Sequence, residues 1–488
     1  MTFLTYVGST AVTNTATQTF TGVGFQPTAI IFWLTQQTAA GWSSAGAKDS
    51  IGFAAYNTAK SAIQQGTVSV AGIGATAAPT AYEYRRWTSS ACITILQYDG
   101  TSLGQGALTS FNSDGFVITW TTQPPNAYVL NYLCLGGTDI TGAGVLPWQE
   151  QGGTGAQSIT GLGFQPNFLF NIGTGDPTAS PSTNVHSVLS IGATDGTNQW
   201  ASYGYSLQSH NPTATGRVQI TSACIVDTGG SQSIVKSASF NAWLSDGFKL
   251  TWNTNNATQY YHISLCLAGP ACQVGAWNKS TLAAPTNDTT SVASVPFPQA
   301  AFFFTDSNIA SASPTTGMRN MFGAVSGNSI DYAAVGISEK NNVATTVDAR
   351  YLYPNASIIV SNSDSTTTPD AVGALNAFGA GEFSTTWTTN NAVATQICYI
   401  VFGSSTAAPI STIPNVGWCW FSEPRAVHYQ GTYDCTYFGY VQNNGNIVIA
   451  QYNNTTEELT TFLLGTFEED DHNDPAICIR NDGTILVF

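Results

Sequence analysis

Short apolar runs alternate with turns rich in Gly, Pro and Asn along most of the chain. Ala29-Ile30-Ile31-Phe32-Trp33-Leu34 follows the turn Gly22-Val23-Gly24-Phe25-Gln26-Pro27. Phe168-Leu169-Phe170-Asn171-Ile172 follows Gly161-Leu162-Gly163-Phe164-Gln165-Pro166, and Ala300-Ala301-Phe302-Phe303-Phe304 follows Pro296-Phe297-Pro298-Gln299. Glycine allows positive φ in such turns, and proline, which lacks an N–H donor, belongs at a strand's start. A continuous apolar run bounded by turns predicts a core strand. A second kind of run alternates: Phe116, Ile118 and Trp120 are separated by Val117 and Thr119, just after Asp114-Gly115. Asp-Gly before an alternating run is hairpin chemistry. No amphipathic helix is visible in these segments.

The pattern repeats. Phe111-Asn112-Ser113-Asp114-Gly115-Phe116 returns as Phe240 through Ser245-Asp246-Gly247-Phe248, and a worn copy carries Gly381-Glu382-Phe383. Cys134, Cys266 and Cys398 are spaced 132 and 132 residues apart, and Trp120, Trp252 and Trp387 132 and 135. A fixed period of this length marks tandem copies of one unit. The predicted fold is all-β: three tandem β-sandwich or jelly-roll modules of about 130 residues, over residues 1–137, 138–269 and 270–405. Residues 406–488 have a different texture. Residues 136–155 (with Pro147), 269–285 and 404–414 read as short linkers, which predicts modules stacked as a semi-rigid rod.

Composition narrows the function classes. Hydrophobic residues make up 43% and aromatics 12%, enough for each module to fill a core, so disorder is excluded. Charged residues are only 8%, so the surface must be covered by Ser, Thr, Asn, Gln and Gly, as in many extracellular and virion β-proteins. The net charge is −15, from 13 basic and 28 acidic residues, which disfavours nucleic-acid and anionic-membrane partners. No apolar run reaches the ~18 residues of a membrane helix, so membrane insertion is not expected. The start, Met1-Thr2-Phe3-Leu4, lacks the pattern of a signal peptide; release by cell lysis would account for work outside a cell.

Nine cysteines leave at least one unpaired. Cys92 and Cys224 both stand in Ser-Ala-Cys-Ile, whereas Ser357 occupies that place in the third copy. A required disulfide should not lose one half, so buried free thiols are favoured over Cys92–Cys134 and Cys224–Cys266 bridges.

From Val416 the chain runs through Gly417-Trp418-Cys419-Trp420-Phe421-Ser422-Glu423-Pro424-Arg425-Ala426 to a Gly-x-Ile strand at Gly445-Asn446-Ile447. It ends with Asp470-Asp471-His472-Asn473-Asp474-Pro475-Ala476 and Asn481-Asp482-Gly483 before an apolar strand. This combination resembles the opening blade of β-propellers with bacterial-neuraminidase-type repeats. The resemblance implies that residues 406–488 begin a glycan-directed propeller, with more blades following Phe488. It makes Trp418, Trp420, Arg425, Asp471 and His472 candidate glycan-binding residues. Arg425 and His472 would either line a central channel or hydrogen-bond between blades. More loosely, the Gly-Phe-Gln-Pro and Ser-Asp-Gly-Phe motifs are similar to those of tailed-phage structural modules.

Candidate chemistry is sparse. Asp114-Gly115 and Asp246-Gly247 depart from the Ser-x-Asp-x-Gly-x-x-Trp box of sialidases and read as turns. Trp120, Trp252 and Trp387 could stack on sugars, but their alternating positions favour core. No metal-type spacing, phosphate loop, dinucleotide fingerprint or Gly-x-Ser-x-Gly elbow appears, so no cofactor is expected. A lyase or glycosidase activity would need a complete propeller. These readings together suggest a virion protein of the tail-fibre or tailspike type, partnered by other tail or baseplate proteins and by host cell-surface polysaccharide. A homo-oligomer, with a trimer favoured, would multiply weak sugar contacts. The alternatives are a capsid decoration or head-fibre protein, and a secreted polysaccharide lyase or hydrolase whose repeats are carbohydrate-binding modules.

Overall fold

The computed structural model describes residues 3–309, 313–327, 332–362, 368–405, 416–417, 426–430, 434–442, 444–454, 459–467, 475–480 and 484–487. Among them there is no α-helix, and the fold is all-β, built of several sheets without a closed barrel. Two compact units divide the chain, Met1–Ala407 and Ala408–Phe488.

In the first copy, the strands are β1 (Leu4–Ala11), β2 (Thr17–Thr21), β3 (Pro27–Leu34), β4 (Gly41–Ser43), β5 (Lys48–Asn57), β6 (Ala62–Gly72), β7 (Glu83–Thr88), β8 (Ile93–Leu96), β9 (Ser102–Asn112), β10 (Gly115–Thr122) and β11 (Val129–Gly136). A small sheet, β2-β10-β9-β8, packs on a large sheet, β1-β11-β3-β5-β6-β7. The second and third copies repeat both orders, each with its own small sheet and sandwich core.

Two features depart from a rod of modules. The first is strand exchange. Strand Ser182–Val185 of the second copy adds to β7 of the first, with Ser182 opposite Trp87 and Val185 opposite Tyr84. Thr315–Thr316 of the third copy adds to Thr215–Ile220 of the second. β4 of the first copy adds to Asp348–Tyr353 of the third, with Ser43 opposite Arg350. Each copy therefore completes its neighbour's large sheet with a seventh strand, and the exchange is cyclic.

The second is a shared core. Along β3, Ile30, Phe32 and Leu34 face the first sandwich core, while Ala29, Ile31 and Trp33 face a cluster drawn from all three copies. The same split separates Leu169 from Phe168, Phe170 and Ile172, and Ala301 and Phe303 from Ala300, Phe302 and Phe304. Phe170 meets Phe53 at 5.1 Å and Phe302 at 5.3 Å between ring centroids, and Trp33 meets Phe302 edge-on at 5.6 Å. The large sheets are buried on both faces, which is why their strands read as unbroken apolar runs. The small sheets bury one face, which is why β10 alternates.

The expected linkers are corrected by the same geometry. Gly142–Gln149, inside 136–155, and Ala271–Asn278, inside 269–285, are counterparts of β1 that pair along the whole edge of their large sheets. Val7, Val145 and Val274 place these three strands in the shared core. Pro147 is accommodated because an edge strand has one side without ladder donors to supply.

The C-terminal unit contains an antiparallel meander of Ala426–Gln430, Asp434–Gln442, Asn446–Asn453 and Leu459–Thr466. Ile477–Ile479 pairs with Ile485–Val487. Tyr440, Val448 and Ala450 form its small core, and Phe462, Leu463, Leu464 and Phe467 are exposed.

Candidate functional site

The two motifs that define the repeat hold each other. The Asp114 carboxylate accepts the backbone N–H groups of Gly22 (3.0 Å) and Gly24 (2.6 Å). These hydrogen bonds hold the Asp114 carboxyl below its usual range. Asp246 accepts from Gly161 and Gly163 in the same way. Gly115 follows with φ +143°, where a Cβ would lie 2.1 Å from Phe20 O. In the third copy both motifs are absent together: Val292 N–H goes to Gly381 O (2.7 Å) and Ser294 N–H to Gln273 Oε1 (3.0 Å). Asp-Gly is thus a turn that clamps the Gly-x-Gly loop. Trp120, Trp252 and Trp387 are buried in the sandwich cores.

Cys92, Cys134, Cys224, Cys266 and Cys398 are free and buried. Cys92 Sγ donates to Gly106 O and Cys224 Sγ to Ala238 O, both at 3.4 Å. Ser357 Oγ donates to Gly373 O at the same 3.4 Å, which explains the replacement. Burial pushes the thiols of Cys92 and Cys224 up to about 12, so neither is a nucleophile.

Trp418, Trp420, Arg425, Asp471 and His472 lie outside the described residues.

The structure assembles one polar cluster that linear spacing hides. Glu150 accepts from Lys236 Nζ (2.5 Å) and from His262 Nε2 (2.8 Å). Asn171 Nδ2 lies 3.0 Å from His262 Nδ1, which fixes the proton on Nε2. Ser264 donates to Asn171 Oδ1 (2.8 Å), and Trp148 Nε1 donates to Ser264 (2.9 Å). Burial raises the Glu150 carboxyl, but the bond from His262 and the charge of Lys236 outweigh it and leave it below its usual range. The arrangement has the members of an acid–base relay. Yet the side chains of Lys236, Glu150 and His262 are 0%, 1% and 3% exposed, so no substrate reaches them. It ties the chain after Gly142–Gln149 into the second sandwich.

Arginine marks the exchange seams. Arg85 and Arg217 stand 132 residues apart and Arg350 another 133 on, all on strands that receive the exchanged strand. Arg85 Nη1 donates to Val185 O (2.8 Å), and Arg217 Nη1 to Thr316 O and Gly317 O, across the seam. A periodic arginine among only 13 basic residues was the sequence signal for this seam.

Open surface of another kind lies at the free end of the β5–β6 hairpin. A cleft of about 660 Å³ is lined by Tyr56, Thr58, Gln26, Thr109, Ser110 and Phe111, among others. Gln26 Nε2 is fixed by Phe111 O at 2.8 Å. Tyr56 is 40% exposed.

Residues 1–407 thus form an all-β ring of three strand-exchanged sandwiches. No known family matches the chain, and no curated protein does either.

Proposed function

We propose that the chain is a structural protein of a tailed-phage virion, in which residues 1–407 form a three-sided platform and the C-terminal unit is a glycan-directed head. The observation that carries this reading is the cyclic strand exchange. It leaves one outer edge of each large sheet covered by a neighbouring copy, so the platform resists edge-to-edge association. It also gives one chain the threefold repetition that a homotrimer would otherwise supply, which suits a single copy to a threefold docking site. The low-charge surface and the Gly-Phe-Gln-Pro and Ser-Asp-Gly-Phe motifs support the same reading.

The shared core favours a compact base over an extended shaft, and so brings forward the capsid-decoration or head-fibre alternative. The four-stranded meander of the C-terminal unit is the unit from which propellers are built, and its exposed Phe462, Leu463 and Phe467 are suited to cover by a further blade. Host cell-surface polysaccharide is the proposed target of that head.

Electron microscopy of particles, labelled with antibody raised against residues 1–400, tests the proposal. Label at tail or capsid vertices is expected, and its position chooses between the two docking sites. Finding the protein only free in the medium, degrading polysaccharide, would overturn both.

A further inference from the structure

The three copies are alike at the shared core and unlike at one surface position. Ile31 pairs with Phe53, Phe170 with Ala193, and Phe302 with Ala324. Three residues on, the equivalent positions are Tyr56, Gly196 and Gly327. Facing them across the sandwich are Phe111, Trp243 and Phe378, each matched by its pairing to Phe116, Phe248 and Phe383.

In the second copy, a Cβ on Gly196 would lie 2.6 Å from Trp243 Nε1, and in the third a Cβ on Gly327 would lie 3.3 Å from Phe378. Both copies close the position by laying an aromatic ring on a glycine. The first copy replaces that glycine with Tyr56 and lengthens the hairpin, β5 and β6 having 10 and 11 residues against 8 and 8 in the second copy. The result is the cleft of about 660 Å³, within the range of small-ligand sites. Core packing does not require this opening, since two copies fold without it.

The lining chemistry selects the ligand. Two aromatic rings, Tyr56 and Phe111, and the aliphatic Ile63 and Ile140 accompany Thr58 and the amide of Gln26, while the hydroxyls of Thr109 and Ser110 are held by Thr119 and Asn112. No Asp, Glu, Lys, Arg or His lines the cleft. Among the described residues the Tyr56 hydroxyl has no hydrogen-bond partner, so it is free to meet a ligand. Aromatic faces pack on C–H faces, while hydroxyls and amides exchange hydrogen bonds with alcohol groups. An anionic ligand would leave its charge uncompensated here. The geometry points to a binding site for an uncharged oligosaccharide in the cleft between the β5–β6 hairpin and β9 of the first copy. This site is separate from the C-terminal head and stands whether or not the chain belongs to a virion.

The test is titration of the full chain with maltohexaose, cellohexaose, mannohexaose and galactohexaose, with polygalacturonate as the anionic comparison. At least one neutral hexaose should bind with a Kd at or below about 1 mM. Tyr56→Ala, and separately Tyr56→Gly, which copies the other two repeats, should weaken it about tenfold or more with the melting temperature unchanged. Trp243→Phe, at the closed position, should leave it unaltered. Failure of all four neutral sugars to bind, binding of polygalacturonate alone, or binding indifferent to both Tyr56 variants would each overturn the inference. If Tyr56→Ala lowers the melting temperature, retention of saccharide binding by Tyr56→Phe supports the site and loss of it counts against.

Discussion

At the scale of single residues, the repeat is a set of small, local bargains between side chain and backbone. Asp246 satisfies two glycine N–H groups that would otherwise meet only water. Asp246→Ala should cost about 1.5 kcal/mol, the low end of the range for hydrogen bonds to a charged group because the turn is partly exposed, read as a shift in the denaturant midpoint. The Cys/Ser exchange gives a sharper test. Because Ser357 already makes the bond that Cys224 makes, Cys224→Ser should fold with near-normal stability in chemical denaturation. Cys224→Ala should leave Ala238 O without that donor and lose more. The turns, the buried tryptophans and the thiols of Cys92, Cys134, Cys224 and Cys266 were legible in the sequence because each rests on neighbours within one repeat. Cys398 is not their counterpart, since it pairs with Phe304 and faces the shared core, and Val401 holds the place of Cys134 in the third copy. The Glu150–Lys236–His262 cluster was not, because its members are far apart in the chain and only tertiary packing brings them together.

At the scale of elements, the legible part was the strand and its copies, and the illegible part was which faces the strands bury. Ala29 to Leu34 is apolar at every position, and that alone distinguishes a strand with two buried faces from one with a single core face. The runs at 136–155, rich in Gly, and 269–285, rich in Ala and Pro, read as linkers, yet an edge strand tolerates such residues. The exchanged strands are only two to four residues long, too short for any periodicity to reveal. At the seam between copies, Glu83 of the first and Glu339 and Asp348 of the third are buried together, with Ser187 of the second donating to Glu83 at 2.6 Å. Burial, and for Glu83 and Asp348 also the neighbouring acids, raises all three carboxyls. Glu339 is pushed up to about 7 from its ordinary 4.5. A raised acid binds its proton more tightly folded than unfolded, so its stabilising effect is full below pH 4.5 and is lost as pH rises through 7. The melting temperature of residues 1–407 should therefore fall from pH 5 to pH 8, and Glu339→Gln should flatten the slope.

At the scale of the whole molecule, one core serves three repeats. Phe302 touches Trp33 of the first copy and Phe170 of the second, so a cavity there is felt by all of them. Phe302→Ala should cost about 3–5 kcal/mol and lower one cooperative transition of residues 1–407, seen by calorimetry, rather than melting the third copy alone. A fragment of residues 1–137 would expose the face of its large sheet that the other copies now cover, and should not give a sharp transition by itself.

The first and third copies, at opposite ends of the repeat, are neighbours. Ala77 and Thr345 face each other in an isolated antiparallel bridge at that closure, and both are exposed. The double variant Ala77→Cys/Thr345→Cys, oxidised and run without reductant, measures the contact directly. A ring predicts a compact, faster-migrating monomer that reductant reverses and that neither single variant forms. Free thiols, or links only between chains, would contradict it and return the repeats to a row.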